Sequence, residues 1–119
     1  MNRLKLTLIF LLSGLSLMPI FSYAITDKDN EIGYLLKFIS NSGCEFIRNG
    51  ASHSSIKATE HIENKYDYVR SRVNSAEDFI KYTATKSSIS GRPYQVKCNG
   101  KEQSSAQWLI AELKAYRNH

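Results

Sequence analysis

Apolar residues recur three or four positions apart in four stretches of the chain, which is the spacing of one helix face. The pattern therefore predicts four helices. Acidic, amide or hydroxyl residues that suit a helix N-terminus precede each stretch, namely Asp27 or Asp29, Ser54 or Ser55, Asn74 or Ser75, and Ser104 or Ser105. The inward-facing residues are predicted to be Ile32, Leu35, Leu36 and Ile39; Ala58, Ile62, Tyr66, Val69 and Val73; Phe79, Ile80, Thr83 and Ala84; and Trp108, Leu109, Ala111 (or Glu112) and Leu113.

Two short β-prone segments interrupt the helices. They are residues 44–48 and 93–98, and each ends at an Asn-Gly turn signal. The predicted order is α-β-α-α-β-α, a mainly α (α+β) fold with four helices and a minimal two-stranded sheet. We find no internal repeat and no low-complexity tract.

The first 24 residues are typical of a cleavable signal peptide. Arg3 and Lys5 precede a mostly apolar stretch over residues 6–18, and Ser22 and Ala24 supply small residues for cleavage after Ala24. The alternative is a retained membrane anchor, for which the apolar run is short of the ~20 residues that a span requires. We expect residues 25–119 to form a single small periplasmic domain with no membrane span after cleavage.

The mature domain contains two cysteines, Cys44 and Cys98. In an oxidising compartment their default state is one disulfide, which would place the two predicted strands side by side. Closing a loop of roughly 55 residues contributes about 4 kcal/mol in the chain-entropy model. The alternative is a pair of free redox thiols, although the C-x-x-C spacing of such pairs is missing.

Charge restricts the partners only weakly. The full chain carries +5, and removing Arg3 and Lys5 with the signal peptide leaves 14 basic against 11 acidic residues, or +3. This mild excess is compatible with an acidic partner, while export argues against nucleic acid. The sequence does not predict the oligomeric state.

Two basic motifs could bind an acidic group. The segment Arg48-Asn49-Gly50-Ala51-Ser52-His53 surrounds a tight turn that leads to a helix N-terminus, where anions bind readily. The alternative is a simple turn with Arg48 paired to an acid such as Glu77. On the following helix, His61, Lys65, Tyr68 and Arg72 form a polar stripe, which could bind a carboxylate or phosphate or could be a solvated face.

Metal and nucleophile chemistry are weakly supported. His53 and His61 are eight residues apart, which is not a helical ligand spacing, so we predict no metal and no cofactor. Ser54-Ser55-Ile56-Lys57 matches an S-x-x-K pattern, but the companion motifs of that enzyme class are missing. A catalytic serine with His53 or His61 as the base and Glu77 as the orienting acid is the remaining enzymatic alternative.

The motifs R-N-G-x-x-H, at residues 48–53, and S-x-S-G-x-P-Y, at residues 88–94, lie in a pattern over residues 32–113 that resembles the YfeK-like proteins. These are small exported proteins of proteobacteria, classed as a domain of unknown function. The resemblance implies a periplasmic location and one small domain, and it implies no activity. Cys44 and Cys98 lie outside its pattern. The polar positions that match are Arg48, Asn49, His53, His61, Lys65, Arg72, Glu77, Ser88, Ser90 and Tyr94.

We expect these polar residues to converge near the strand ends. The leading hypothesis is a binding or interaction module without chemistry of its own, recognising an acidic group on an envelope protein or cell-wall fragment. One alternative is a small envelope-directed hydrolase with a histidine base and a nucleophile from Ser87–Ser90. The other is an internal polar network that fixes the loop over residues 85–94.

Overall fold

The computed structural model describes residues 26–119, so the predicted signal peptide and its cleavage site lie outside the described residues. No helix in this part of the chain is long and apolar enough to cross a membrane. The elements are α1 (Asp27–Asn41), β1 (Glu45–Arg48), β2 (Ala51–His53), α2 (Ser55–Val69), a 3-10 turn (Arg70–Arg72), α3 (Ala76–Thr83), β3 (Gln95–Cys98), β4 (Lys101–Ser104) and α4 (Ser105–Arg117).

Each helix begins at a hydroxyl residue that caps it. The side chains of Thr26, Ser54, Ser75 and Ser104 each accept a hydrogen bond from the backbone N–H three residues further on. Such caps satisfy N–H groups that have no partner within the helix. The predicted starts of all four helices are therefore confirmed to within one or two residues.

The predicted apolar faces form one core. Helix α1 packs against α2, α3 and α4, while α2 contacts β1 and α4 contacts β3. Helix α4 also contacts the edge strand β4 that precedes it, so the helices meet the sheet at both central strands and at β4. Of the predicted inward residues, Leu36, Val69 and Trp108 are partly buried at the edge of the core. The fully buried centre consists of Leu35, Ile39, Ala76, Phe79, Ala84, Val96 and Leu109.

The sheet has four antiparallel strands in the order β2-β1-β3-β4, so the prediction of a two-stranded sheet was wrong. Asn49 and Gly50 have φ values of 51° and 81°, and Asn99 and Gly100 have values of 51° and 79°. Positive φ at both central residues makes a tight hairpin that matches strand twist, so each turn returns the chain as another strand. The two returning strands, Ala-Ser-His and Lys-Glu-Gln-Ser, lack the apolar alternation by which strands are detected.

The observed order α-β-β-α-α-β-β-α is one α-β-β-α unit used twice. The turn at Asn49 and the cap at Ser54 recur 50 positions later as Asn99 and Ser104. Phe46 pairs with Val96, its own counterpart at the same separation, so an approximate two-fold axis passes between them. The repeat is not visible in the sequence because the two halves share little beyond Asn-Gly-x-x-x-Ser-Ser.

The pairing of β1 with β3 has a different structure at each end. Continuing its register by one residue places Cys44 opposite Cys98 at one end and Arg48 opposite Tyr94 at the other. Cys44 and Cys98 form the predicted disulfide, with their Cα atoms 4.7 Å apart. The two-fold relation therefore makes the Arg48–Tyr94 position the counterpart of the disulfide.

Candidate functional site

Five side chains meet at the end of the β1–β3 pairing that lies opposite the disulfide. Arg48 ends β1 and His53 ends β2, whereas His61 and Lys65 lie one turn apart on α2. Tyr94 directly precedes β3 and is buried, and the other four are partly buried. We call these five residues the basic cluster.

Arg48 is the centre of the basic cluster. One terminal guanidinium nitrogen, Nη1, lies 3.1 Å from Nδ1 and 3.3 Å from Nε2 of His61. The other, Nη2, lies 3.4 Å from Nε2 of His53. Both contacts require a neutral imidazole nitrogen as the acceptor, because guanidinium only donates.

Tyr94 links His61 to Lys65. Its hydroxyl oxygen lies 3.1 Å from Nε2 of His61 and accepts a hydrogen bond of 3.1 Å from Nζ of Lys65. One assignment has Arg48 donating to Nδ1 of His61 and the Nε2–H of His61 donating to Tyr94, so that the 3.3 Å approach of Arg48 to Nε2 is a contact without a hydrogen bond. The Tyr94 oxygen then accepts two hydrogen bonds, and its own hydrogen remains available to a ligand.

Burial and neighbouring charges keep His61 neutral. Burial lowers the pKa of His61 to about 4, and the charges of Arg48 and Lys65 act in the same direction. Burial also lowers the pKa of Lys65, with a further contribution from Arg48. The pKa of Tyr94 is raised by burial, so Tyr94 keeps its proton. The basic cluster therefore presents hydrogen-bond donors at neutral pH.

A small cleft opens beside the basic cluster. Its inner volume is about 30 Å³, which is room for roughly two water molecules or the two oxygens of a carboxylate. Phe46, Ala58 and Ile62 form an apolar wall, and Lys57 adds a further cation. No Asp or Glu lines this cleft within the described part of the chain.

Asn49 and two serines fix the neighbouring loop instead of joining the basic cluster. Nδ2 of Asn49 donates to Oγ of Ser87 at 3.4 Å, and Oγ of Ser90 donates to Oδ1 of Asn49 at 2.6 Å. Ser87 also accepts hydrogen bonds from the backbone N–H groups of Ile89 and Ser90. These hydrogen bonds tie the loop around Ser87 and Ser90 to Asn49 on the β1–β2 turn.

Three predicted site residues lie away from the basic cluster. Glu77 binds Arg117 through two contacts of 2.6 and 3.0 Å, so it neither pairs with Arg48 nor orients a histidine. Arg117 also binds Glu31, which ties α4 to α1 and α3. Arg72 and Ser88 line a separate groove. The ten polar residues were predicted to converge, and the structure brings only the five of the basic cluster together.

Two residues that line the cleft, Lys57 and Ser105, were not predicted as ligand-binding residues. Ser87, predicted only as a possible nucleophile, is the buried acceptor of the loop. A signal existed for Ser105, because Ser55 holds the same place after the first Asn-Gly turn and is also buried. No local sequence pattern identifies the ion pairs of Arg117, because its partners lie 86 and 40 residues away in the chain.

Within residues 26–119, neither the hydrolase alternative nor the metal alternative is supported by a side-chain contact. The hydroxyl groups of Ser87 and Ser90 are engaged by Asn49, whereas the neighbours of His61 are Arg48 and Tyr94. A serine nucleophile requires a histidine within hydrogen-bond reach. Within residues 26–119, no group of three or more His, Cys, Asp and Glu side chains is placed to hold a metal ion.

We expect Asn49→Ala to destabilise the protein more than Asn99→Ala does. Both asparagines have φ of 51°, so the backbone strain of about 1 kcal/mol is shared. The Asn49→Ala variant additionally loses the contacts with Ser87 and Ser90. Its free energy of unfolding should therefore fall by about 1 kcal/mol more than that of Asn99→Ala in urea titrations. Equal losses would show that Asn49 does not anchor the loop.

Stability should depend on the protonation of His61. In the unfolded chain histidine titrates near pH 6.5, whereas the folded pKa of His61 is about 4. As pH falls from 6.5 to 4, the unfolded state takes up a proton that the folded state does not, so the free energy of unfolding decreases. His61→Gln should remove this part of the slope, whereas His119→Gln, at the exposed C-terminus, should retain it. An imidazole resonance of His61 titrating at pH 6.5 or above would contradict this assignment.

Comparisons with known proteins identify a family without assigning a function. The model of a family of unknown function, DUF5329, matches residues 26–117. The uncharacterized protein YfeK of Salmonella typhimurium is 43% identical over 49 residues, a stretch that covers 41% of this chain and 41% of YfeK. No solved structure matches. The resemblance to YfeK-like proteins is confirmed, and the chain belongs to the DUF5329 family of unknown function.

Proposed function

We propose that this chain is a periplasmic binding module that recognises an acidic group on an envelope protein or cell-wall fragment, without chemistry of its own. The basic cluster is the recognition site. A carboxylate in the cleft would meet Arg48 and Tyr94, which line it, while Lys65 donates a hydrogen bond to Tyr94. The observation that carries this proposal is a set of partly buried donors with no carboxylate among them.

The charge balance of the basic cluster favours an anion from outside. Arg48 and Lys65 are both cationic and lie close enough for Arg48 to lower the pKa of Lys65. The ion pairs within residues 26–119 involve Lys57, Arg70 and Arg117, so neither cation of the cluster is neutralised by this part of the chain. Partly buried cations are normally paired, and a bound carboxylate would supply the missing negative charge.

The unused hydrogen-bond donors of the basic cluster also favour an anionic ligand. Arg48 donates to one nitrogen of each imidazole and retains further N–H groups, and Tyr94 retains its hydroxyl hydrogen. A ligand group here would therefore face donors, which suits a group that only accepts hydrogen bonds. An ionised carboxylate is such a group, and a hydroxyl or amide is not.

The proposal includes export of the chain to the periplasm. Cys44 and Cys98 are bonded to each other, and disulfides persist in oxidising compartments such as the periplasm. The signal-like N-terminus supports the same location. The ligand would then be an acidic group of the envelope, since that is what surrounds a periplasmic protein.

Acetate, with acetamide as its neutral counterpart of similar shape, provides the direct test. We expect acetate to shift the ring resonances of His61 and Tyr94 with a millimolar dissociation constant, and acetamide to shift neither. Arg48→Met should weaken acetate binding by at least about tenfold, because a charge-assisted hydrogen bond is lost.

Lys101→Met is the matched control, since it removes one positive charge from β4, at the disulfide end of the β1–β3 pairing. It should change the acetate affinity by less than about twofold. The proposal fails if acetamide binds as well as acetate, or if Arg48→Met binds acetate like the wild type. Either result would leave the basic cluster as a network that holds the loop.

A further inference from the structure

A second concave surface lies on the other side of Lys65. It is formed by the C-terminal half of α2, by α3 and by the loop over residues 86–91, and its volume is about 590 Å³. Ligand sites commonly have volumes of roughly 300–1,000 Å³. We call this surface the basic groove.

All four charged side chains that line the basic groove are cations. They are Lys65, Arg72, Lys81 and Lys86, and no Asp or Glu is among the lining residues of the described chain. None of the four takes part in an ion pair within residues 26–119. A concave surface lined by one sign of charge concentrates the field and attracts ligands of the opposite sign.

Tyr82 holds two of these cations in place. The guanidinium carbon of Arg72 and Nζ of Lys81 each lie 5.3 Å from the centre of the Tyr82 ring. These distances fall within the range of cation–π attraction. Because the two side chains rest on one ring, less conformational freedom is lost when a ligand binds them.

Two large apolar side chains are exposed in the same groove. Tyr68 on α2 is 89% exposed, and Ile89 in the loop is 97% exposed. They lie beside the four cations, so one ligand can contact both kinds of group. The ligand that fits the basic groove therefore carries both acidic and apolar groups.

We propose that the basic groove binds an acidic peptide segment of a partner protein, with its carboxylates on Arg72, Lys81 and Lys86 and an apolar side chain against Tyr68 and Ile89. An acidic glycan would satisfy the cations and leave Ile89 uncovered. A bilayer presents a flat surface, which does not match a concave one. This site does not depend on carboxylate binding at the basic cluster.

The probe is an N-acetylated, C-amidated hexapeptide of four glutamates and two leucines, labelled with a fluorophore. We expect it to bind the oxidised protein in anisotropy titrations at low salt, and to weaken as salt is added. A peptide in which glutamines replace the glutamates should bind at least tenfold more weakly. A peptide in which serines replace the leucines should bind severalfold more weakly.

The variants locate the site. Arg72→Gln with Lys81→Gln should weaken peptide binding at least tenfold, whereas Lys101→Gln with Lys114→Gln removes the same charge elsewhere and should weaken it less than threefold. Ile89→Ser should abolish the preference for the leucine peptide. The pair Arg72→Gln with Lys81→Gln should leave acetate binding at the basic cluster within about twofold of the wild type, which separates this site from the basic cluster.

Three results would overturn the proposal. The first is the absence of peptide binding to the wild-type protein at millimolar concentration. The second is equal weakening by the groove pair and by the control pair of substitutions, which would indicate unspecific attraction. The third is tighter groove-dependent binding of dextran sulfate or phosphatidylglycerol vesicles than of the peptide, which would assign the groove to a glycan or a lipid surface. Circular dichroism and urea unfolding of each variant establish that it is folded.

Discussion

The antiparallel pairing of β1 with β3 is the constraint on which the rest of the structure depends. It joins the two halves of the chain through three residue pairs, with Phe46 and Val96 buried at its centre. Each strand continues through an Asn-Gly turn into a polar edge strand and then into a helix. The positions of β2, β4, α2 and α4 follow from the two central strands.

The two ends of this pairing carry opposite kinds of interaction. At one end the Cys44–Cys98 bond restricts the unfolded chain, a contribution of about 4 kcal/mol in the entropic account. At the other end Arg48, Lys65 and two imidazoles are gathered without a carboxylate, which costs the fold stability. A fold that is covalently fixed at one end can tolerate such a cluster at the other. Local conflicts of this kind are typical of binding sites.

Local features of the fold were predictable from sequence, and non-local ones were not. The start of the first helix was predicted from the carboxylates of Asp27 or Asp29, and the other starts from capping residues such as Ser54 and Ser104. The Asn49-Gly50 signal marked a real turn. The edge strands were missed because their residues are polar and their pairing is set by turn geometry. The basic cluster was predictable as a set of residue types, but the contact between His61 and Tyr94 spans 33 residues and depends on the sheet register. Glu77 was misplaced because its partner Arg117 belongs to α4.

The central claim is that Arg48 is placed for a ligand and not for the stability of the fold. The direct test is urea unfolding of the oxidised protein, wild type against Arg48→Met, which removes the charge and keeps most of the aliphatic packing. We expect the free energy of unfolding to change by less than about 0.5 kcal/mol, or to rise because repulsion with Lys65 is relieved. A loss of about 2 kcal/mol or more would contradict it, because Arg48 would then anchor a buried network.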